Sequence, residues 1–182
     1  MRKKYQIIII QVAFWLVLAC CSGRILYAGE DANLYKKASQ FAKQGDREFA
    51  FMNYRAILKG YPKSRFTEKA LFANAEYYSI LTKYGDAKVH FEDYVKDFPD
   101  SKGKFFALVH LWKLAERKGD EALLAEYTSQ IASNEQMSFI FRDRKEIFFQ
   151  SPLACQYRAV IQIDTIKIFL EGVLFAEILY TD

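Results

Sequence analysis

The chain has 182 residues, 52% of them hydrophobic and 16% aromatic, which suffices for one domain with a real core and excludes disorder along the whole length. The formal charge of +4 includes Arg2, Lys3 and Lys4; the 26 basic residues less these three leave 23 against 22 acidic ones. That balance excludes the basic footprint of a nucleic-acid binder and gives no long-range steering toward an acidic surface.

The N-terminus reads as an export signal over residues 1–20. MRKKYQ is a positive leader, and IIIIQVAFWLVLACC follows it, an apolar run of 15 residues broken only by Gln11. A span across a bilayer needs about 20 residues, so the run fits the apolar region of a signal peptide better. VLAC at 17–20 resembles the bacterial lipobox, with Val17 and Leu18 where Leu and a small residue are usual. The resemblance implies lipid attachment at Cys20, periplasmic exposure and association with a membrane through the acyl chains. Cleavage after Ala28 and an uncleaved anchor are the alternatives. With Cys20 lipidated, only Cys21 and Cys155 remain, and no metal-ligand spacing exists. Cys155 reads as a small apolar filler, with a disulfide to Cys21 as the other option.

Residues 21–30 read as a tether, and helical periodicity begins at Asp31. Leu34, Ala38, Phe41 and Ala42 recur at helical spacing, with Asp31 as the expected N-cap and Gly45 as the stop. A second helix carries Ala50, Tyr54, Ile57 and Leu58 on one face and ends before Pro62, which lacks an N–H and clashes with the preceding turn. Ser64 is the expected N-cap of a third helix, which carries Leu71, Ala75, Tyr78 and Leu81. A fourth follows with Ala87, Phe91, Tyr94 and Val95; Pro99 stops it and Ser101 caps the next. The third pair, SKGKFFALVHLWKLAERKG and DEALLAEYTSQIA, is weaker. Gly-Asp marks the loop inside each pair, at 45–46, 85–86 and 119–120, and Pro62 and Pro99 lie 37 residues apart.

A recurring helix–turn–helix unit of this length is the signature of an α-solenoid. The tetratricopeptide repeat places a small residue at its eighth position, Ala at its twentieth, an aromatic at its twenty-fourth and Pro at its thirty-second. Ala38, Ala50, Tyr54 and Pro62 match all four, as do Ala75, Ala87, Phe91 and Pro99. Small side chains let antiparallel helices approach to about 8–10 Å, and the aromatic fills the space under the turn. Residues 31–132 therefore resemble the tetratricopeptide-repeat (TPR) family. The third repeat lacks the Pro, as a terminal repeat with one unpartnered face tends to. With the signal and VLAC, the endings YP-x-S and FP-x-S look like the periplasmic, BamD-like TPR lipoproteins of diderm bacteria. That resemblance implies an outer-membrane address and a part in barrel assembly or envelope organisation, although such chains have about five repeats and this one has room for three.

From Glu135 the texture changes. Ile, Val, Phe and Tyr crowd residues 151–182 of the 133–182 extension, which favours strands. We expect a strand over 157–163, a turn or bulge at Asp164-Thr165, and a hairpin turning at Glu171-Gly172 that pairs Leu170 with Val173 and Ile168 with Phe175. A further helix over 166–180 is the competing reading. Asp164, Lys167, Glu171 and Glu177 argue against a membrane helix. The sheet carries apolar residues on both faces; helices are expected to cover one, and the other is either further core or a contact surface. The fold class is thus mainly α, a TPR-like α-α superhelix of about three helical hairpins with a small C-terminal antiparallel β meander or hairpin.

Catalytic patterns are absent from the sequence: no Ser-His-Asp order suggests a triad, no Gly-rich loop follows a strand, and there is no His-Glu-x-x-His. His90 and His110 read as lone surface or groove histidines. Asp86, His90 and Asp93 share a helix face that could hold a metal weakly, but it fits a solvated polar face better. The expected function is a non-enzymatic envelope scaffold that binds a protein or peptide partner in its concave groove without a cofactor, with Tyr77, Tyr78 and Phe105 as anchors. The alternative is a small secreted ligand-binding protein or enzyme built on the C-terminal sheet.

Overall fold

The computed structural model describes residues 29–133, 145–162 and 164–180. Cys20, Cys21 and the alternative cleavage point after Ala28 lie outside the described residues, as does Ile163 at the end of the expected strand. Among the described residues no helix is long and apolar enough to cross a membrane.

Helices α1 (Glu30–Lys43) and α2 (Arg47–Gly60) form a first pair, α3 (Thr67–Ile80) and α4 (Tyr84–Asp97) a second, α5 (Lys104–Lys118) and α6 (Glu121–Ala132) a third. Each helix packs on its successor, both within a pair and from one pair to the next. The first helices open at Glu30, Thr67 and Lys104 and the second at Arg47, Tyr84 and Glu121, so both series advance by 37 residues at every step. This corrects the uneven spacing suggested by the Gly-Asp pairs. The turn inside each pair rests on a left-handed residue, and those residues are Gly45 (φ +82°), Thr82 (φ +58°) and Gly119 (φ +67°). The N–H that follows each one donates to a carbonyl five residues back: Asp46 to Phe41, Lys83 to Tyr78, Asp120 to Ala115. Asp46 and Asp120 then cap the next helix by accepting from Phe49 N and Leu123 N. In the second pair Thr82 holds the glycine's place and Gly85-Asp86 falls inside α4, with Lys83 at the cap position.

The Pro-x-Ser endings have a role other than capping. Pro62 and Pro99 follow the ends of α2 and α4, but α3 and α5 start three residues beyond Ser64 and Ser101, with Phe66 and Gly103 at the cap positions. Each serine Oγ accepts from the N–H two residues on, Phe66 N or Gly103 N, at 3.1 Å. Each also donates at 2.6 Å to an acidic residue in the first turn of the preceding pair, Ser64 to Asp31 and Ser101 to Glu68. Asp31 is consequently not the N-cap of α1, which begins at Glu30 behind Gly29. The serine ties the inter-pair turn back to the helix two elements earlier.

Ala38, Ala50, Ala75, Ala87 and Phe91 are fully excluded from solvent, and Tyr54 nearly so. At a period of 37 the same positions in the third pair are Trp112, Leu124 and Thr128. The bulk has moved from the second helix to the first, and Trp112 Nε1 donates to Thr128 Oγ1 at 3.1 Å across the pair. The inter-helix volume is thus filled from the opposite side. Leu81, expected on the packed face of α3, lies beyond the helix end and is exposed.

Four strands follow, one more than expected: β1 (Lys145–Gln150), β2 (Gln156–Ile161), β3 (Thr165–Leu170) and β4 (Val173–Leu179). They form an antiparallel meander in the order β1-β2-β3-β4, which excludes a helix over 166–180. Glu171 and Gly172 both have positive φ, the geometry of a two-residue hairpin turn. Leu170 pairs with Val173, but Ile168 pairs with Ala176 rather than Phe175, because a bulge at Ile168/Phe169 leaves Phe175 as the extra residue. Phe175 turns instead toward His110, with ring centroids 4.9 Å apart.

Tyr157, Ala159, Ile161, Ile166, Ile168, Ala176 and Ile178 share the inner face of the sheet and are buried. That face joins the helical core in one hydrophobic cluster. Among the described residues the outer face carries no packed layer, and Val160 alone of its strand residues near the centre is buried. Phe148 is 70% exposed, Leu174 and Leu179 are also exposed, and the ion pairs Arg158–Glu146 and Lys167–Glu177 lie between them. Among the described residues the sheet is therefore packed on one side.

Candidate functional site

The inner side of the helical stack is where a repeat protein of this kind presents a groove, and here the chain's own sheet packs against it at α3 and α5. Phe72 and Glu76 on α3 and Phe106 and His110 on α5, each pair four residues apart, make one stripe per helix. Phe149 of β1 packs edge-on against Phe72 (5.3 Å) and stacks on Phe106 (4.9 Å). Tyr157 of β2 lies against Phe106 and His110.

At the centre of this contact sits a closed polar cluster. The buried Glu76 carboxylate accepts from Ser151 Oγ at 2.6 Å and from Tyr157 Oη at 2.5 Å. Tyr157 Oη also lies 2.8 Å from His110 Nε2. The single phenol proton goes to the carboxylate, so the network assigns Nε2–H as donor to the phenol oxygen. Ser151 Oγ in turn accepts from Cys155 N at 3.1 Å. Burial pushes the Glu76 carboxyl up; the hydrogen bonds from Ser151 and Tyr157 and the charge of Arg47 oppose it. Burial drives His110 down to about 3, so the ring is neutral, and it stacks on Phe91 at 4.5 Å. Burial also raises the Tyr157 phenol, with the Glu76 charge adding to it, and pushes the Cys155 thiol up to about 12. The histidine, the phenol and the thiol are thus all held buried in their uncharged forms. What the cluster does is hold sheet to helices through groups that would be costly to bury unpaired.

Beside it the inner side stays open as a cleft of about 270 Å³ between α1, α3 and the β1–β2 turn. Its walls are aromatic: Tyr35, Tyr54, Phe72, Tyr94 and Phe149. Tyr35 stacks on Phe66 at 4.2 Å, which fixes its plane. Tyr54 Oη donates to the carbonyl of Pro152 at 3.2 Å, and Tyr94 Oη lies 2.6 Å from Ser101 Oγ. Lys43 and Lys69 supply the charge, and among the described residues neither is in a salt bridge. Lys69 Nζ donates to Tyr35 Oη at 2.9 Å. Burial pushes the Tyr35 phenol up, but the hydrogen bonds from Lys69 and Ser39 and the charges of Lys69 and Lys43 outweigh it and lower its pKa. Glu68, the one carboxylate of the lining, is engaged by Ser101 and Tyr94. The cleft is thus suited to an anionic group on an apolar body.

The residues expected to line a groove do not meet there. Phe105 is fully buried between helices, Tyr77 stacks on Phe51 at 4.5 Å, and Tyr78 lies between Phe51 and His90. The reason is that α3 is buried from Ala70 to Tyr77 and α5 from Phe105 to Leu111, so neither helix has a polar face by which periodicity could orient it. Of the repeat-packing residues, Tyr54 alone reaches the cleft. His110 is not a surface residue, and Cys155 is a buried, free filler. His90 Nδ1 lies 2.9 Å from the carbonyl of Asp86 in its own helix, and among the described residues no three His, Cys, Asp or Glu side chains group as metal ligands. The chain matches no model of a known protein family and no curated protein sequence.

Proposed function

We propose that this chain is a non-enzymatic, helical-repeat adaptor of the bacterial cell envelope, related to the TPR lipoproteins and held at a membrane by lipid on Cys20. It engages a protein partner through the cleft between α1, α3 and the β1–β2 turn. One observation carries the reading. The chain's own sheet occupies the inner side of the stack, yet leaves open one cleft walled by rigid aromatics and bearing two lysines free of salt bridges among the described residues. Stacked or hydrogen-bonded aromatic rings supply contact area at low entropic cost, which is what anchor sites need. The Glu76–Tyr157–His110 cluster supports this reading over an enzyme, since its ionisable groups are buried and satisfied.

The test is site-specific crosslinking. A photo-reactive residue at Ser39, in the cleft, is expected to capture a discrete envelope protein, while the same residue at the exposed Val89 of α4 captures none. Equal labelling from both positions, or none from either, would reject the cleft as the binding site. The anchor is tested separately with a clickable palmitate: Cys20→Ser should abolish labelling, and an unlabelled wild type removes the lipid.

A further inference from the structure

Phe72 and Glu76, the inner stripe of α3, lie one full repeat of 37 residues beyond Tyr35 and Ser39 of α1. The α3 stripe is engaged by the chain's own sheet. Phe149 lies edge-on to Phe72 at 5.3 Å, and Ser151, two residues on, donates to Glu76 at 2.6 Å. The fit is a matter of pitch. Residues four apart on a helix are separated by about 6 Å along its axis. Residues two apart on an extended strand share a face and are separated by about 6.7 Å. An extended segment with an aromatic and a polar residue at i and i+2 therefore matches a helix stripe at i and i+4. The α1 copy of that stripe, Tyr35 and Ser39, lines the cleft instead. Its polarity is the reverse of the α3 copy. Where α3 holds a carboxylate and receives hydroxyls, α1 holds the Ser39 hydroxyl, with Lys43 one turn further along the same face.

We propose that the cleft takes an extended aromatic-x-acid segment of a protein partner, with the aromatic side chain against Tyr35 and the Asp or Glu carboxylate at Ser39, Lys43 and Lys69. This rests on the adaptor reading and names its ligand chemistry. The segment repeats on α1 what Phe149 and Ser151 do on α3, with a carboxylate in place of the serine hydroxyl because the receiving groups are cationic. Tyr35 is a preformed wall, since its stack on Phe66 at 4.2 Å fixes the ring, and aromatic pairs gain beyond the area they bury. Lys69 donates to Tyr35 Oη at 2.9 Å, and the charges of Lys69 and Lys43 both act on that phenol, so the two ammonium groups bear on one place. Ammonium-to-carboxylate hydrogen bonds are among the stronger ones. Among the described residues Glu68 is the one carboxylate of the lining, and it is committed to Ser101 and Tyr94, so the balancing negative charge comes from the partner.

The probe is a phage-displayed library of random dodecapeptides selected on the full-length chain. The recovered peptides should share an aromatic residue followed two positions later by an Asp or Glu. The best one, made synthetically, should bind about ten-fold more weakly or worse when its acid is changed to the amide, or moved one position further from the aromatic. The same loss is expected against a Lys43→Gln/Lys69→Gln variant whose thermal melt matches wild type. Ser39→Glu places on α1 the carboxylate that α3 carries, and should abolish binding. Peptides without the aromatic-x-acid spacing, or indifferent to the amide, to the lysines or to Ser39→Glu, would overturn the proposal while leaving the adaptor reading in place, provided the Ser39 crosslink persists. Recovery of no peptide overturns the proposal; loss of the Ser39 crosslink as well removes both.

Discussion

Replacing His110 by Phe tests the closed cluster through its proton linkage. Burial holds the folded imidazole at about 3, against an ordinary value of 6.5 in the unfolded chain. Between those values the unfolded chain binds a proton that the folded chain refuses, so folded stability falls as pH drops from 6.5 toward 3. Each pH unit in that window costs about 1.4 kcal/mol, and at pH 4.5 the wild type should have lost about 3 kcal/mol through this residue alone. Glu76 works in the other direction. Its carboxyl is raised, so on acidification the folded state takes up that proton first and gains stability. The two slopes overlap, and the wild-type profile by itself does not separate them. Phe at 110 keeps a ring against Phe91 and Phe175; it removes the titrating group and its hydrogen bond to Tyr157, a loss common to both pH values, while Glu76 remains in both proteins. Urea unfolding followed by circular dichroism at pH 7.5 and pH 4.5 then gives the difference directly. His110→Phe should gain about 3 kcal/mol on wild type between the two conditions. A gap that stays constant within about 0.5 kcal/mol across those pH values would refute a buried, neutral His110.

Three further substitutions probe the repeat. Thr82→Gly relieves a β-branched residue in the left-handed region at the position that Gly45 and Gly119 hold in the other pairs, and should raise stability by about 0.5–1 kcal/mol in a thermal melt. Ala50→Trp inserts bulk where the first pair is fully closed and should cost about 3 kcal/mol or more, read as a lower urea midpoint; an unchanged midpoint would show that the pair does not close on that residue. Ser101→Ala removes the tie from the inter-pair turn to Glu68 and should cost about 1–2 kcal/mol, with faster hydrogen exchange at Gly103 N; undisturbed exchange there would mean that the serine bond contributes nothing.

The helical pairs were legible because their signals are local. Pro62, Pro99, Gly45 and Gly119 act through φ and missing donors within a few residues, and the alanines and aromatics at fixed spacing report the helix that faces them. The middle turn misled because Gly85-Asp86 looks like its neighbours, while the left-handed position fell to Thr82, which nothing in local propensity favours. The 37-residue advance of the third pair was hidden in the same way, since Trp112 and Thr128 exchange large for small and so keep the volume while breaking the pattern.

The residues of the chain determined by themselves the paired helices, the closeness of their packing and the hairpin at Glu171-Gly172, because those follow from backbone sterics and side-chain volume over short distances. Only the tertiary structure decided what lies on the inner side. Glu76, His110, Ser151 and Tyr157 are separated by up to 81 residues and carry no pattern in sequence, yet the sheet brings them into one hydrogen-bonded cluster. The same docking covers the inner side at α3 and α5 and leaves the cleft at Tyr35 and Lys69. Long-range contact depends on where two surfaces meet, and periodicity records only that each is apolar.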